Sequence, residues 1–340
     1  MSYGASGDRL LKVPGEELQG VHSARAFVNW YNGHPDFAAM HFDLSHETAV
    51  VVGQGNVAID VARILCSPLE ALRSTDIANY AWDALSRSRV RKVYLVGRRG
   101  PVQSAFTIKE FREISVLPGV TTVMEEEELK LSRSCQQELN DSRPVKRKYE
   151  LMMEVHNRSR ALSASEIAAG KEIHFKFFSV PSAIAPAPWN QGHVGSIVFE
   201  KTTLQGAAGK QSAVSTGETF EFPTGLVLRS IGYQSTSLEG APFDVRAAVI
   251  PNINGRVVPV ELAKAKAAQK SLSEEEKNDH SGLYVSGWLK RGPNGIIATN
   301  IVDAKETVAE MVDDYNRGRL NAQVGAIALT SMSCGSINSL

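Results

Sequence analysis

Cysteine is scarce. Cys66, Cys135 and Cys334 lie far apart in 340 residues. Their spacing gives neither a disulfide framework nor a metal-ligand set, and a reducing compartment suits them. No CxxC or CxxxxC pair is present, which removes a redox dithiol from the available chemistry. No run of about 18 apolar residues occurs, so no transmembrane helix is expected. The N-terminus has no signal or transit character. Net charge is zero, with 37 Lys+Arg against 37 Asp+Glu. That balance argues against a general nucleic-acid binder and leaves any charge-guided partner to a local patch. No His, Cys or carboxylate cluster has metal or triad spacing. The histidines read as surface or satisfied core residues.

What is there is a chain with 43% apolar residues, enough for one large or two ordinary domains. Pro14-Gly15 marks a turn, and Ser23 to Tyr31 is periodic enough for a short helix. Thr48 to Val52 is an apolar, β-branched run of the kind that forms a buried parallel strand. Val57 to Leu65 has helical spacing, and a helix-prone polar stretch follows to about Arg89. Val93 to Val96 predicts a second buried strand, and Lys109 to Ile114 a helix. From about 123 to 172 the chain is polar, with an acidic run (Glu125 to Glu128) and a basic one (Arg143, Lys146, Arg147, Lys148). Short alternating pieces within 173–222, His174 to Phe178 and Ser196 to Lys201, predict antiparallel strands added to a sheet. Gly225 to Ile231 predicts another buried strand. Residues 261–281 read as a solvated helical insertion, Leu283 to Ser286 as a strand, and Ile296 to Tyr315 as a helix.

The chemistry concentrates at Gly53-Gln54-Gly55-Asn56-Val57-Ala58. A strand that ends in Gly-x-Gly and opens a helix is a dinucleotide-binding turn. The first glycine permits the turn, the second lets the backbone approach the pyrophosphate, and the small third residue lets helix pack on strand. The pyrophosphate then meets the unpaired N–H groups of the helix start. An acidic residue at the end of the next strand would mark NAD. Here Arg98-Arg99 stand in its place, and two guanidiniums suit a dianionic 2′-phosphate. Their distance from Gly55 is about twice the usual 20 residues, which requires an enlarged crossover. A second constellation, Gly287 to Asn300, offers a flat ring in Trp288 for stacking and a helix start for negative charge. A tight loop with a buried Trp explains that segment equally well. The basic run at 143–148 reads either as a solvated face or as a partner site.

Three segments carry a family resemblance. They are Gly53 to Arg63, Val96 to Glu110, and Ser286 to Thr299, with Pro14 to Glu17 and Ser230 to Tyr233 in support. Together they resemble the mitochondrial NADPH:adrenodoxin (ferredoxin) reductases from Ser2 to about Val308. The resemblance implies an α/β flavoprotein of the glutathione-reductase type with two dinucleotide-binding domains. The NADP domain would span 8–233 and be complete. The FAD domain would be partial, with 1–7 ending its first segment and 234–340 returning to it, and 261–281 an insertion.

The activity implied is transfer of electrons from NADPH through FAD to an acidic [2Fe–2S] ferredoxin such as adrenodoxin, serving mitochondrial P450 or iron–sulfur pathways. The alternative is a catalytically incompetent NADP-binding fragment or isoform. By resemblance, Gln54, Gly55, Asn56 and Val57 would line the NADP pyrophosphate, Arg98 and Arg99 the 2′-phosphate, and Glu110 and Gly295 the same nucleotide. Trp288, Gly295, Ile296 and Ile297 would contact FAD. Arg143, Lys146, Arg147 and Lys148 would meet the ferredoxin. A mitochondrial, matrix-side location and peripheral association with the inner membrane are also implied.

Overall fold

A computed structural model describes residues 1–268, 282–295 and 297–320. Ile296 and most of the 261–281 segment lie outside the described residues. The chain divides into two units. One is Leu10–Ile231, and the other joins Met1–Arg9 to the described residues from Gly232 onward. The first short strand, β1 (Gly7–Asp8), belongs to the smaller unit.

The larger unit begins with β2 (Val21–Ser23) and α1 (Ala24–Tyr31). The Ser23 hydroxyl caps α1 by accepting the Ala26 N–H at 3.1 Å, the usual service of a serine at a helix start. Next come β3 (Thr48–Val52), α2 (Asn56–Cys66), α3 (Leu69–Arg73), α4 (Asn79–Ser86) and β4 (Lys92–Val96). Three helices therefore fill the long interval between the glycine turn and the arginine pair. The chain continues through α5 (Ile108–Ser115), β5 (Val120–Met124), α6 (Glu126–Leu129), α7 (Arg133–Asp141), α8 (Arg143–Arg160), α9 (Ala164–Ala168) and β6 (Lys171–Lys176). A hairpin region, β7 (Ser179–Ala187), β8 (Asn190–Gln205) and β9 (Ser212–Pro223), precedes β10 (Leu226–Arg229).

Six strands form one sheet in the order β2-β10-β3-β4-β6-β5. Every pairing in it is parallel. A parallel sheet must be covered on its faces, and its strands here are largely apolar: Ala49, Val50, Val51, Val93 and Leu95 are fully buried. The α2 face packs onto it through Ala58, Ile59, Val61, Ala62 and Leu65. Phe106, Phe111 and Phe175 interlock nearby with ring centroids 5.3–5.4 Å apart.

Two strand expectations change in this unit. His174 to Phe178 does not begin an antiparallel piece. Its strand β6 is parallel and lies between β4 and β5. The polar stretch before it folds into helices, and a helical crossover returns the chain in the parallel sense. The antiparallel strands that do form, β7-β8-β9, make a sheet of their own. Ile184, Val194, Ile197 and Phe199 join Val50, Val52 and Val227 in one buried cluster, so this second sheet covers part of the first.

In the smaller unit β1 pairs antiparallel with β11 (Tyr233–Gln234), and β12 (Asn252–Ile253) with β13 (Arg256–Val257). The remaining helices are α10 (Val260–Ala267), α11 (Trp288–Arg291) and α12 (Ile297–Asn316). Leu283 to Ser286 does not form a strand. It makes only an isolated bridge between Tyr284 and Arg256. Its backbone is instead shared among neighbours, Val285 N–H donating to Gly255 O and Ser286 N–H to Met1 O. Arg256 anchors this unit by a two-pronged pair with the fully buried Asp314, which also accepts the Tyr284 hydroxyl at 2.7 Å. No helix among the described residues is long and apolar enough to cross a membrane.

Candidate functional site

The glycine turn sits outside the carboxyl ends of β3 and β4, where open parallel sheets place their ligands. Gly53 adopts φ +128° and lies against the Ser230 carbonyl, so any Cβ there would collide with main chain. Its N–H donates to Val96 O at 2.8 Å, which ties the turn to β4. Gly55 is the N-cap of α2 and faces open space. No side chain caps this helix, and no acidic residue occupies its first turn. The first N–H groups of an eleven-residue helix are thus left for an anion, helped by about half a unit of positive charge from the helix dipole.

Gln54 serves the site differently from expectation. Its side chain is buried and donates to Leu95 O at 3.0 Å and Lys176 O at 2.9 Å. It therefore buckles the ends of β4 and β6, and only its main chain remains to face a ligand. The Gln54 carbonyl accepts the N–H groups of Ala105 and Phe106, both at 3.1 Å. Asn56 Oδ1 accepts the Thr107 N–H at 2.9 Å. Val57 packs against the main core. The turn and the 104–107 segment are consequently one bonded assembly.

Arg98 and Arg99 follow β4 after the single residue Gly97, and both are exposed. Their main chain is fixed, since Arg98 O accepts the Thr202 hydroxyl at 2.8 Å and Arg99 O accepts the Phe178 N–H at 3.2 Å. Among the described residues neither guanidinium pairs with a carboxylate. Glu110 stands on the first turn of α5 with a buried Oε2 that has no hydrogen-bond partner. A buried carboxylate oxygen without a donor is costly unless a ligand supplies one.

The basic run does not act as one patch. Arg143, Lys146 and Arg147 are exposed at the start of α8, but Lys148 is 7% exposed. Its ammonium donates to the carbonyls of Ser104 and Phe106. Lys148 is therefore removed from the partner surface: on a helix, successive residues point about 100° apart, and position 148 falls on the buried stripe with Met152 and Val155. Sequence reasoning missed Arg112. It joins Ile108, Arg143, Pro144 and Arg147 around a cleft of about 440 Å³. The signal was available, because Arg112 lies four residues beyond Ile108 on the same helix face.

In the smaller unit Trp288 opens the short helix α11 and stacks on Tyr233 with ring centroids 5.7 Å apart. Asp303 accepts the N–H of Gly287 and the hydroxyl of Ser286, fixing the loop in front of Trp288. Burial alone would raise the Asp303 carboxyl, but the Gly287 N–H, the Lys290 ammonium and the Ser286 hydroxyl together hold it below the usual range. Gly295 adopts φ +89°, a conformation that suits glycine. Ile297 begins α12, and Ile296 lies outside the described residues.

Histidines also gather where the sequence showed scatter. Asp43 Oδ2 lies 3.3 Å from His46 Nε2 and 3.5 Å from His193 Nε2. Among the described residues no group of three or more His, Cys, Asp or Glu side chains is placed to hold a metal ion.

The Gly-x-Gly turn, the parallel sheet and two arginines without a carboxylate partner among the described residues are the parts of a dinucleotide-binding type of α/β fold. The chain's fold is that of the two-domain flavoproteins related to glutathione reductase, as shown by Mycobacterium tuberculosis FprA in complex with NADPH. That structure has a TM-score of 0.79 and 34% identity, over 99% of this chain and 65% of FprA. The chain is 43% identical over 324 residues to the mitochondrial NADPH:adrenodoxin oxidoreductase of Arabidopsis thaliana, covering 94% of this chain and 64% of that protein. It is 42% identical to the Homo sapiens protein of the same name, covering 94% and 61%. The NADPH-ferredoxin reductase FprA of Mycobacterium tuberculosis is 36% identical over 95% of this chain and 64% of its own length. No family model matches. The chain is thus a homologue of the NADPH:adrenodoxin oxidoreductases, and it spans a little under two thirds of their length.

Proposed function

We propose that this chain binds NADPH and, with FAD, passes electrons to a [2Fe–2S] ferredoxin such as adrenodoxin. One observation carries the reading: Arg98 and Arg99 stand exposed and unpaired with carboxylates at the end of β4, beside the uncapped start of α2. The pyrophosphate belongs at the main chain of Gln54 to Val57, and the 2′-phosphate at the two guanidiniums. Glu110 Oε2 would accept a hydroxyl of the same nucleotide. Trp288, Gly295, Ile296 and Ile297 would hold FAD, and Gly295 would also approach the nicotinamide. Bound FAD would supply the conversion from hydride to single-electron transfer, because the chain has no dithiol for it. The cleft walled by Arg112, Arg143 and Arg147 suits an acidic ferredoxin, and Lys146, exposed on the same helix, would add to its positive charge. A mitochondrial location agrees with the names of the relatives, and a matrix-side position with peripheral contact to the inner membrane belongs to the same proposal.

A second reading is favoured by the smaller unit. Its four strands have two residues each, and α12 exposes Ile301, Val302, Val308, Met311, Val312 and Tyr315. An apolar stripe of that size marks a face made for cover. In this reading the chain binds NADP(H) and holds no flavin. Purified chain distinguishes the two. A flavin absorbance spectrum with NADPH-dependent reduction of adrenodoxin supports the first. NADPH binding without flavin leaves the second.

A further inference from the structure

Lys148 is a buried cation that the site described above does not use. Lys148 lies on the apolar face of α8, followed on that face by Met152, Val155 and His156. Among the described residues no carboxylate pairs with it. Its ammonium instead reaches Ser104 O and Phe106 O at 2.5 and 3.3 Å and lies 5.1 Å from the centre of the Phe106 ring. Burial without a counter-charge lowers its pKa to about 8. Such a residue weakens the fold relative to an apolar one of equal size. Its placement calls for another explanation.

Two features flank it. The carbonyls it holds belong to the segment whose N–H groups bind the glycine turn, Ala105 and Phe106 to Gln54 O and Thr107 to Asn56 Oδ1. The residue before it, Arg147, lines the basic cleft with Arg143 of the same helix. The opposite wall of that cleft is α5, which starts immediately after Thr107 and contributes Ile108 and Arg112. A displacement of α8 at the cleft therefore pulls directly on the carbonyl side of the segment that shapes the nucleotide turn.

We propose that Lys148 is a positioning residue that couples partner binding at the Arg112–Arg143–Arg147 cleft to nucleotide binding at the Gly53–Val57 turn. This rests on the proposed function, since it takes an acidic ferredoxin as the partner and NADP⁺ as the nucleotide. Coupling between two sites is reciprocal and is measured as a ratio of affinities.

The experiment uses adrenodoxin and NADP⁺ with the full chain. Adrenodoxin affinity is measured with and without saturating NADP⁺, in the unaltered chain and in Lys148→Met. We expect the two affinities of the unaltered chain to differ by about fivefold or more. In Lys148→Met the ratio falls to near one, while the melting temperature without ligands is unchanged or raised. A residue of purely structural importance would lower the melting temperature and leave the ratio intact, and that result overturns the proposal. A second measurement needs no variant. Amide hydrogen exchange at Ala105, Phe106 and Thr107 should slow when adrenodoxin is added to nucleotide-free chain, and unchanged exchange overturns the proposal. An unaltered chain that binds both ligands with a ratio of one refutes the coupling alone. An unaltered chain that binds neither refutes the proposed function and the coupling with it.

Discussion

The side chain of Asn56 accepts the main-chain N–H of Thr107 at 2.9 Å, joining segments 51 residues apart. The bond fixes the start of α5 to the start of α2. Glu110 on α5 thereby keeps its place relative to the glycine turn. Replacing Asn56 by Ala leaves the Thr107 donor without its acceptor, a loss of about 1 kcal/mol or somewhat more. NADP⁺ affinity measured by calorimetry should fall about five- to tenfold, with the melting temperature lowered by a few degrees. An unchanged affinity would show that the bond does not shape the site.

Arg98 and Arg99 test cofactor choice. A hydrogen bond between charged groups contributes about 1.5–3 kcal/mol, or roughly 10- to 100-fold in affinity per arginine. The pair Arg98→Ala with Arg99→Ala should weaken NADPH binding by at least that much and leave NADH binding nearly as it was. Titration of both nucleotides checks it. Equal losses for the two would remove the 2′-phosphate from these residues.

Much of this site was legible because its physics is local. Val51-Val52-Gly53 announces a buried strand and a turn, and the Ser230 carbonyl behind Gly53 shows why no other residue fits. Arg98-Arg99 was readable because the strand before it is short and apolar. The crossover was legible as length and as helix-prone residues to about Arg89, which do not say that two separate helices follow α2. Lys148 was not legible at all. Beside Arg147 it looks like one more surface charge, and only the pitch of α8 assigns it to the interior. The Leu283 to Ser286 segment failed for a related reason. An apolar run of that length satisfies its backbone with whatever edge is near, and here that edge is the two-residue strand β13 and the glycine before it. The parallel pairing of β6 depended on reading the polar 123–172 stretch as a helical crossover, which amphipathic helices with sparse apolar residues conceal.

The cleft predicts a salt-dependent encounter. Charges this exposed act through solvent, and the screening length is about 8 Å at physiological ionic strength. Reversing two of them, Arg143→Glu with Arg147→Glu, should slow association with adrenodoxin by on the order of 10- to 100-fold at low salt. Nucleotide affinity should change far less. Raising the salt should slow the unaltered chain toward the variant, and stopped-flow rates over a salt series follow both. Rates that fall equally with salt in the two proteins would place the docking surface elsewhere.

Acid sensitivity should arise in part from His22. It lies on β2, packed on the ring of Phe42 at 4.6 Å between centroids. Burial lowers its pKa from 6.5 to about 4, with Arg229, His193 and His41 adding repulsion in that order. The nearby Asp43 contacts His46 and His193. Between the two pKa values of His22 the unfolded chain takes up a proton that the folded chain refuses. Its contribution to stability is therefore whole above about pH 6.5 and is lost progressively as the pH falls toward 4. A leucine at this position cannot titrate. The drop in melting temperature between pH 7.5 and pH 5 should be smaller in His22→Leu than in the unaltered chain, by a few degrees for a unit of this size. Equal drops in calorimetric scans would assign the acid sensitivity to other groups.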